Sequence, residues 1–153
     1  KGEEIKRLPD TRLEIDLETH LAEQYVDDNQ HKVDIYRRLA DSRSLDEVEK
    51  IRDEVTDRFG RPPQSAVNLF DATAVKIAAS VLELEKLTLR AGKATLYFAP
   101  HRKLTRPEVE ALRGGTDSPM EFLLQGQPRV VIDLSRIPET DRLPHLRGVL
   151  SKV

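Results

Sequence analysis

Between Asp71 and Glu83 the chain carries one charge, Lys76, in a run of Ala72, Ala74, Val75, Ile77, Ala78, Ala79, Val81 and Leu82. A helix that is apolar nearly all round has no solvent face and must be enclosed by other elements. Upstream, Pro62-Pro63 fix the backbone where a first helical turn needs no amide donors. The pattern therefore predicts a central helix from about Pro63 to Leu84, with alanines that let neighbours approach closely. Whatever else the chain forms has to wrap around this helix.

The wrapping elements are legible on both sides. From Thr11 the chain alternates strictly, with Leu13, Ile15 and Leu17 on one face and Arg12, Glu14 and Asp16 on the other, the pattern of a half-buried strand. His20 to Asn29 is a polar loop anchored by Leu21, Tyr25 and Val26. A helix from about Asn29 to Asp41 follows, with Val33, Tyr36, Leu39 and Ala40 as its buried spacing. Ser44-Leu45-Asp46-Glu47 is a capping-box sequence opening a second helix, whose inner side is Leu45, Val48, Ile51, Val55 and Phe59. Gly60 then stands where a left-handed cap is expected.

After Leu84 the period changes from 3.6 to 2. Leu87 and Leu89, a turn at Ala91-Gly92, then Ala94, Leu96 and Phe98 predict a hairpin ended by Pro100. A short helix spans about Arg106 to Arg113 and stops at Gly114-Gly115. Phe122-Leu123-Leu124, Gly126-Gln127-Pro128 and Val130, Ile132 and Leu134 predict a second hairpin, and Leu143, Leu146, Val149 and Leu150 a final helix. The fold class is α+β: an N-terminal strand and helical half packed with a small, mostly antiparallel sheet and a C-terminal helix. Residues 1–10 read as a linker or arm, and residues 11–153 as one domain. The opening Lys1-Gly2-Glu3-Glu4, without an initiator Met, reads as a piece of a longer chain.

Charged residues make 34% of the chain against about 25% in an average domain, so the surface is densely charged. The 25 basic and 27 acidic side chains nearly cancel, to −2, which argues against a dedicated nucleic-acid binder. Absence of cysteine removes disulfides and thiolate metal sites and fits a reducing cytoplasm. No apolar run approaches the length of a membrane span.

The sharpest candidate surface lies on the second helix. At about 100° per residue, Glu47, Lys50, Glu54, Asp57 and Arg58 share one polar stripe beside the Val48/Ile51/Val55/Phe59 core face. Glu54 and Arg58 stand i,i+4 in the favourable order. A stripe of this kind is usually a solvated face. It also has the chemistry to meet a basic and aromatic patch on another domain, Arg58 adding a planar fork of donors.

The pattern Tyr36-Arg37-Arg38-Leu39-Ala40, Ser44, Ile51, Glu54, Asp57-Arg58-Phe59-Gly60, Pro63 and Val67-Asn68-Leu69 resembles the C-terminal domain of bacterial transcription-repair-coupling factors over about Leu13 to Leu84. The resemblance implies a non-catalytic regulatory domain of an ATP-driven DNA translocase that displaces stalled RNA polymerase. Such a domain clamps onto an excinuclease-B-like N-terminal module, hiding the surface that recruits the excinuclease-A protein and holding the motor down. The implied clamp contacts fall on Glu54, Asp57 and Arg58. Two departures stand out: Thr56 where the family often has an apolar residue, and Ala72 to Ala79 where it carries arginines.

Catalytic readings find little. His20, His31, His101 and His145 show no two-ligand helical spacing, and Asp27-Asp28-x-x-His31 reads first as a helix cap. Gly114-Gly115 follows a helix, the wrong order for a phosphate-binding loop. No enzyme activity, cofactor or metal is expected. The alternative function is nucleic-acid binding through His101-Arg102-Lys103 and Arg106, with Tyr97 nearby to stack bases on a sheet edge; direct DNA contact is otherwise not expected. A scaffold for another protein is a third reading.

Overall fold

The computed structural model describes residues 10–153. Apart from Asp10, the expected arm lies outside the described residues. Strand β1 (Arg12–Ile15) leads through a loop to helices α1 (Asn29–Asp41), α2 (Leu45–Phe59) and α3 (Gln64–Val81). Strands β2 (Leu84–Arg90) and β3 (Lys93–Phe98), helix α4 (Arg106–Gly114), strands β4 (Met120–Leu123) and β5 (Arg129–Asp133) and helix α5 (Arg142–Leu150) complete the chain. The fold is α+β, with a sheet in the order β1-β2-β3-β5-β4. β1 pairs parallel to β2, and the other pairings are antiparallel.

α3 is the central helix, and it feeds two cores. Ala72, Val75, Ala78, Ala79 and Leu82 join Leu87, Leu89, Leu96, Phe98, Val130 and Ile132 of the sheet and Leu143, Leu146, Val149 and Leu150 of α5. Ala66, Phe70 and Ile77 face Ile35, Leu39, Val48, Ile51 and Val55 of α1 and α2, closed by Leu21 and Val26 of the loop. Burying each large side chain contributes about 1.5–3 kcal/mol, so two cores on one helix bind the halves into one unit.

The helix also carries buried polar groups that its composition hides. Asn68 donates to the Glu18 carbonyl at 3.0 Å and accepts from Gln64, and Ser80 donates to Thr11 at 3.2 Å. Asp71 is buried beside Arg52. α3 stops at Val81, short of the predicted Leu84, because Glu83 takes a positive φ of 59° that turns the chain into β2. Pro63 is the N-cap, and its carbonyl accepts from Ala66 and Val67.

Across the sheet, Ala94, Leu96 and Phe98 of β3 face the helices while Lys93, Thr95 and Tyr97 face outward, the expected alternation of a one-sided sheet. A register irregularity between Leu84 and Lys86 brings both Leu84 and Leu87 inward although they are three residues apart. The predicted turn is a two-residue loop with Ala91 at φ 50° and Gly92 at φ 80°, the handedness that matches strand twist.

Three expectations for the first two helices need correcting. The buried positions of α1 are Ile35 and Leu39, whereas Val33 and Tyr36 are 53% and 38% exposed and Ala40 is exposed as well. The helix packs through a narrower stripe rotated from the one its apolar residues suggest. Tyr36 keeps its place through its hydroxyl, which accepts the Leu21 amide at 2.8 Å. At the start of α2 the Ser44 hydroxyl accepts from the Glu47 amide, as expected, but the Glu47 carboxylate accepts from Arg43, one residue before the cap. Gly60 has the positive φ expected of it, 88°, but with ψ of −171° it is extended rather than helical, a region essentially confined to glycine.

Candidate protein-docking edge

The C-terminal half of α2 runs beside α1, and their facing side chains build one charged edge. Val55 and Phe59 turn inward and fix the phase of the helix, which leaves Glu54, Asp57 and Arg58 outward. Thr56 satisfies its own hydroxyl by donating to the Arg52 carbonyl at 2.7 Å, so the polar residue at this position leaves no unmet group.

Glu54 does not pair with Arg58. Its Oε2 lies 2.7 Å from Nη1 of Arg38 on α1, and that hydrogen bond and charge hold the carboxyl below the usual glutamate range. Arg58 turns instead to His31, also on α1, with Nη2 2.9 Å from Nε2. The Arg58 guanidinium lies over the Phe59 ring at 5.4 Å, and the His31 ring approaches the same phenyl at 5.8 Å. The local i,i+4 rule gives way to contacts between helices because Phe59 offers Arg58 a flat platform on the α1 side. Between these groups lies a cavity of about 60 Å³ lined by His31, Ile35, Arg38, Glu54, Val55 and Arg58, among others.

Asp57 is exposed and forms no ion pair among the described residues. Glu47 and Lys50 stand on the same helix but not at the same place. Glu47 belongs to the capped first turn, and ten residues at about 1.5 Å of rise separate it from Asp57. The stripe therefore divides into a helix-start residue, an exposed Lys50 and a compact cluster of Glu54, Asp57 and Arg58. Arg38 and His31 are not among the contacts expected from sequence. They stand seven residues apart, two turns of one helix and hence on one face, and that was the available signal.

The other candidate residues are used locally. Asp28 caps α1, accepting from Gln30 and His31 amides, which keeps its carboxyl below the usual range. Among the described residues no group of three or more metal-ligating side chains comes together. In the basic segment, Arg102 pairs with Glu108 and stacks over Phe98 at 5.1 Å, and Arg106 reaches Glu110 at 3.3 Å. Thr105 and Glu108 form a full capping box for α4. Tyr97 is not on a sheet edge: β3 lies between β2 and β5, and Lys86 covers the ring at 5.0 Å. Among the described residues no helix is long and apolar enough to cross a membrane.

The fold is an α+β domain that presents a charged edge where α1 and α2 meet. The family model of the TRCF domain matches residues 15–109, and the chain belongs to that family. The transcription-repair-coupling factor of Bacillus subtilis (strain 168) is 30% identical over 70 residues, and that of Staphylococcus aureus (strain USA300) 29% over 72 residues. These alignments cover 46% and 47% of this chain but only 6% of each relative, so the chain corresponds to a small part of the curated relatives it matches. A crystal structure of the C-terminal domain of transcription-repair coupling factor superposes with a TM-score of 0.85 at 20% identity, covering 95% of this chain and 93% of that one. The fold is that of the C-terminal domain.

Proposed function

We propose that this domain is a non-catalytic, autoinhibitory module of a transcription-repair-coupling motor that acts by reversible docking within its own polypeptide. Glu54, Asp57 and Arg58 meet an excinuclease-B-like N-terminal module, covering the surface that would recruit the excinuclease-A protein. Docking restrains an ATP-dependent translocase until RNA polymerase is engaged, in a bacterial cytoplasm.

The observation that carries this reading is the edge itself. The three side chains are exposed, gathered on the last turns of α2, and superfluous to the cores that build the domain. Exposed pairs are individually weak and screened by salt, which suits a contact that must release. The family match spans α1 to α3, where the edge lies. The basic segment after β3 fits the alternative less well, because Arg102 and Arg106 already have carboxylate partners.

The test is charge reversal at Glu54 and Asp57 in the full-length parent. E54K/D57K is expected to raise ATPase activity in the absence of RNA polymerase and to expose the excinuclease-A site. Unchanged activity and unchanged excinuclease-A binding would sink the proposal.

A further inference from the structure

We infer that α1 supplies two positioning residues to the docking edge, Arg38 and His31, so that the docking surface is built by two helices rather than by α2 alone. The inference rests on the docking reading above and extends it to residues with no place in that reading.

Long charged side chains on an exposed helix face sample several rotamers, and a partner that fixes them must overcome that freedom. Here the freedom is already reduced from the α1 side. Arg38 takes one oxygen of Glu54 at 2.7 Å and leaves Oε1 for an incoming donor. His31 accepts one N–H of Arg58 at 2.9 Å, and the guanidinium carbon lies 5.4 Å from the centre of the Phe59 ring, a cation–π contact that adds a second restraint. A guanidinium carries five N–H donors, so the remainder stay available for a partner's acceptors. Both contacts are outside the cores, so they add little to stability while fixing the direction of two of the three edge residues.

The α1 contacts also set what a partner sees. Glu54 is presented with its charge partly met by Arg38, whereas Asp57 is presented bare. A cation on the partner therefore finds its strongest anchor at Asp57, with Glu54 as a directed second acceptor.

Four variants of the full-length parent test this: Arg38→Ala and His31→Ala against the conservative Arg38→Lys and His31→Gln. The alanine changes are expected to weaken docking roughly threefold to tenfold, read as a rise in polymerase-independent ATPase smaller than that of E54K/D57K. Lys at 38 keeps a cation for Glu54, and Gln at 31 keeps an acceptor for Arg58, so these variants recover most of the restraint. Melting temperatures of all four stay close to wild type, which separates positioning from a folding defect. If the alanine variants keep full restraint while E54K/D57K releases it, the positioning role is wrong and the docking reading survives. Equal release by the alanine and conservative variants would likewise overturn the positioning role. If E54K/D57K itself releases nothing, the docking reading fails and this inference falls with it.

Discussion

The Thr11 hydroxyl donates to the Leu84 carbonyl at 2.6 Å, joining residues 73 apart in sequence at a fully buried point. The same oxygen accepts from Ser80 at 3.2 Å, so one side chain ties the start of β1 to the junction of α3 and β2. Thr11→Val keeps the shape and removes both bonds, leaving a buried carbonyl and hydroxyl unmet. A loss of about 1–3 kcal/mol is expected in urea unfolding, at unchanged m-value. Thr11→Val/Ser80→Ala should recover part of it, because the orphaned serine hydroxyl is then gone as well.

Asp71 gives the domain a pH signature opposite to that of Asp28, Glu54, Glu108 and Asp133, whose carboxyls are held below their ordinary range. Burial raises its carboxyl above the ordinary value of 3.8, against the pull of Arg52 and Arg147. Between the ordinary and the raised value the folded state holds more protons than the unfolded one, so this contribution is full below about pH 4 and is lost as pH rises through the folded value. Asp71→Asn removes the titration. The difference in stability between the variant and wild type should shift toward the variant as pH rises from 4 to 7, with the variant within about 1 kcal/mol of wild type or better at neutral pH. A pH-independent difference would contradict the assignment. Glu54 behaves the other way: its pairing with Arg38 is present above the ordinary glutamate range and is lost as pH falls.

Glycines at 92 and 114 are expected to respond in opposite directions to alanine. Gly92 sits at φ 80°, and an added Cβ would meet the Ser135 Cα at 3.0 Å, so Gly92→Ala combines backbone strain with a contact that cannot flex. A cost of about 1–3 kcal/mol is expected in thermal or urea unfolding. Gly114 ends α4 with open space where its Cβ would be, and Gly114→Ala should stabilise by about 0.4–1 kcal/mol.

What the sequence made legible was whatever depended on local pattern. The nearly unbroken apolar run of α3, the Ser44 cap, the Ala91-Gly92 turn and the Leu143/Leu146/Val149/Leu150 face of α5 all appear where periodicity and turn chemistry put them. What stayed hidden depended on contacts between distant segments. α1 carries apolar residues in two adjacent stripes, and only its packing chooses Ile35 and Leu39 over Val33 and Tyr36. The end of α3 at Glu83 has no glycine to announce it. Glu54 has a local partner in Arg58 by the i,i+4 rule, yet Arg38 wins because the helices meet. The edge residues could be located on a helix face from sequence; their partners could not.

The central claim is that Glu54, Asp57 and Arg58 form a docking edge, and direct binding tests it most plainly. The domain would be titrated against the separately produced N-terminal module of its own parent, with wild type and E54K/D57K compared at low and high salt. Wild type is expected to bind measurably, more weakly at high salt, and charge reversal to cost at least about tenfold in affinity. Equal affinity of wild type and E54K/D57K, unmoved by salt, would contradict that claim.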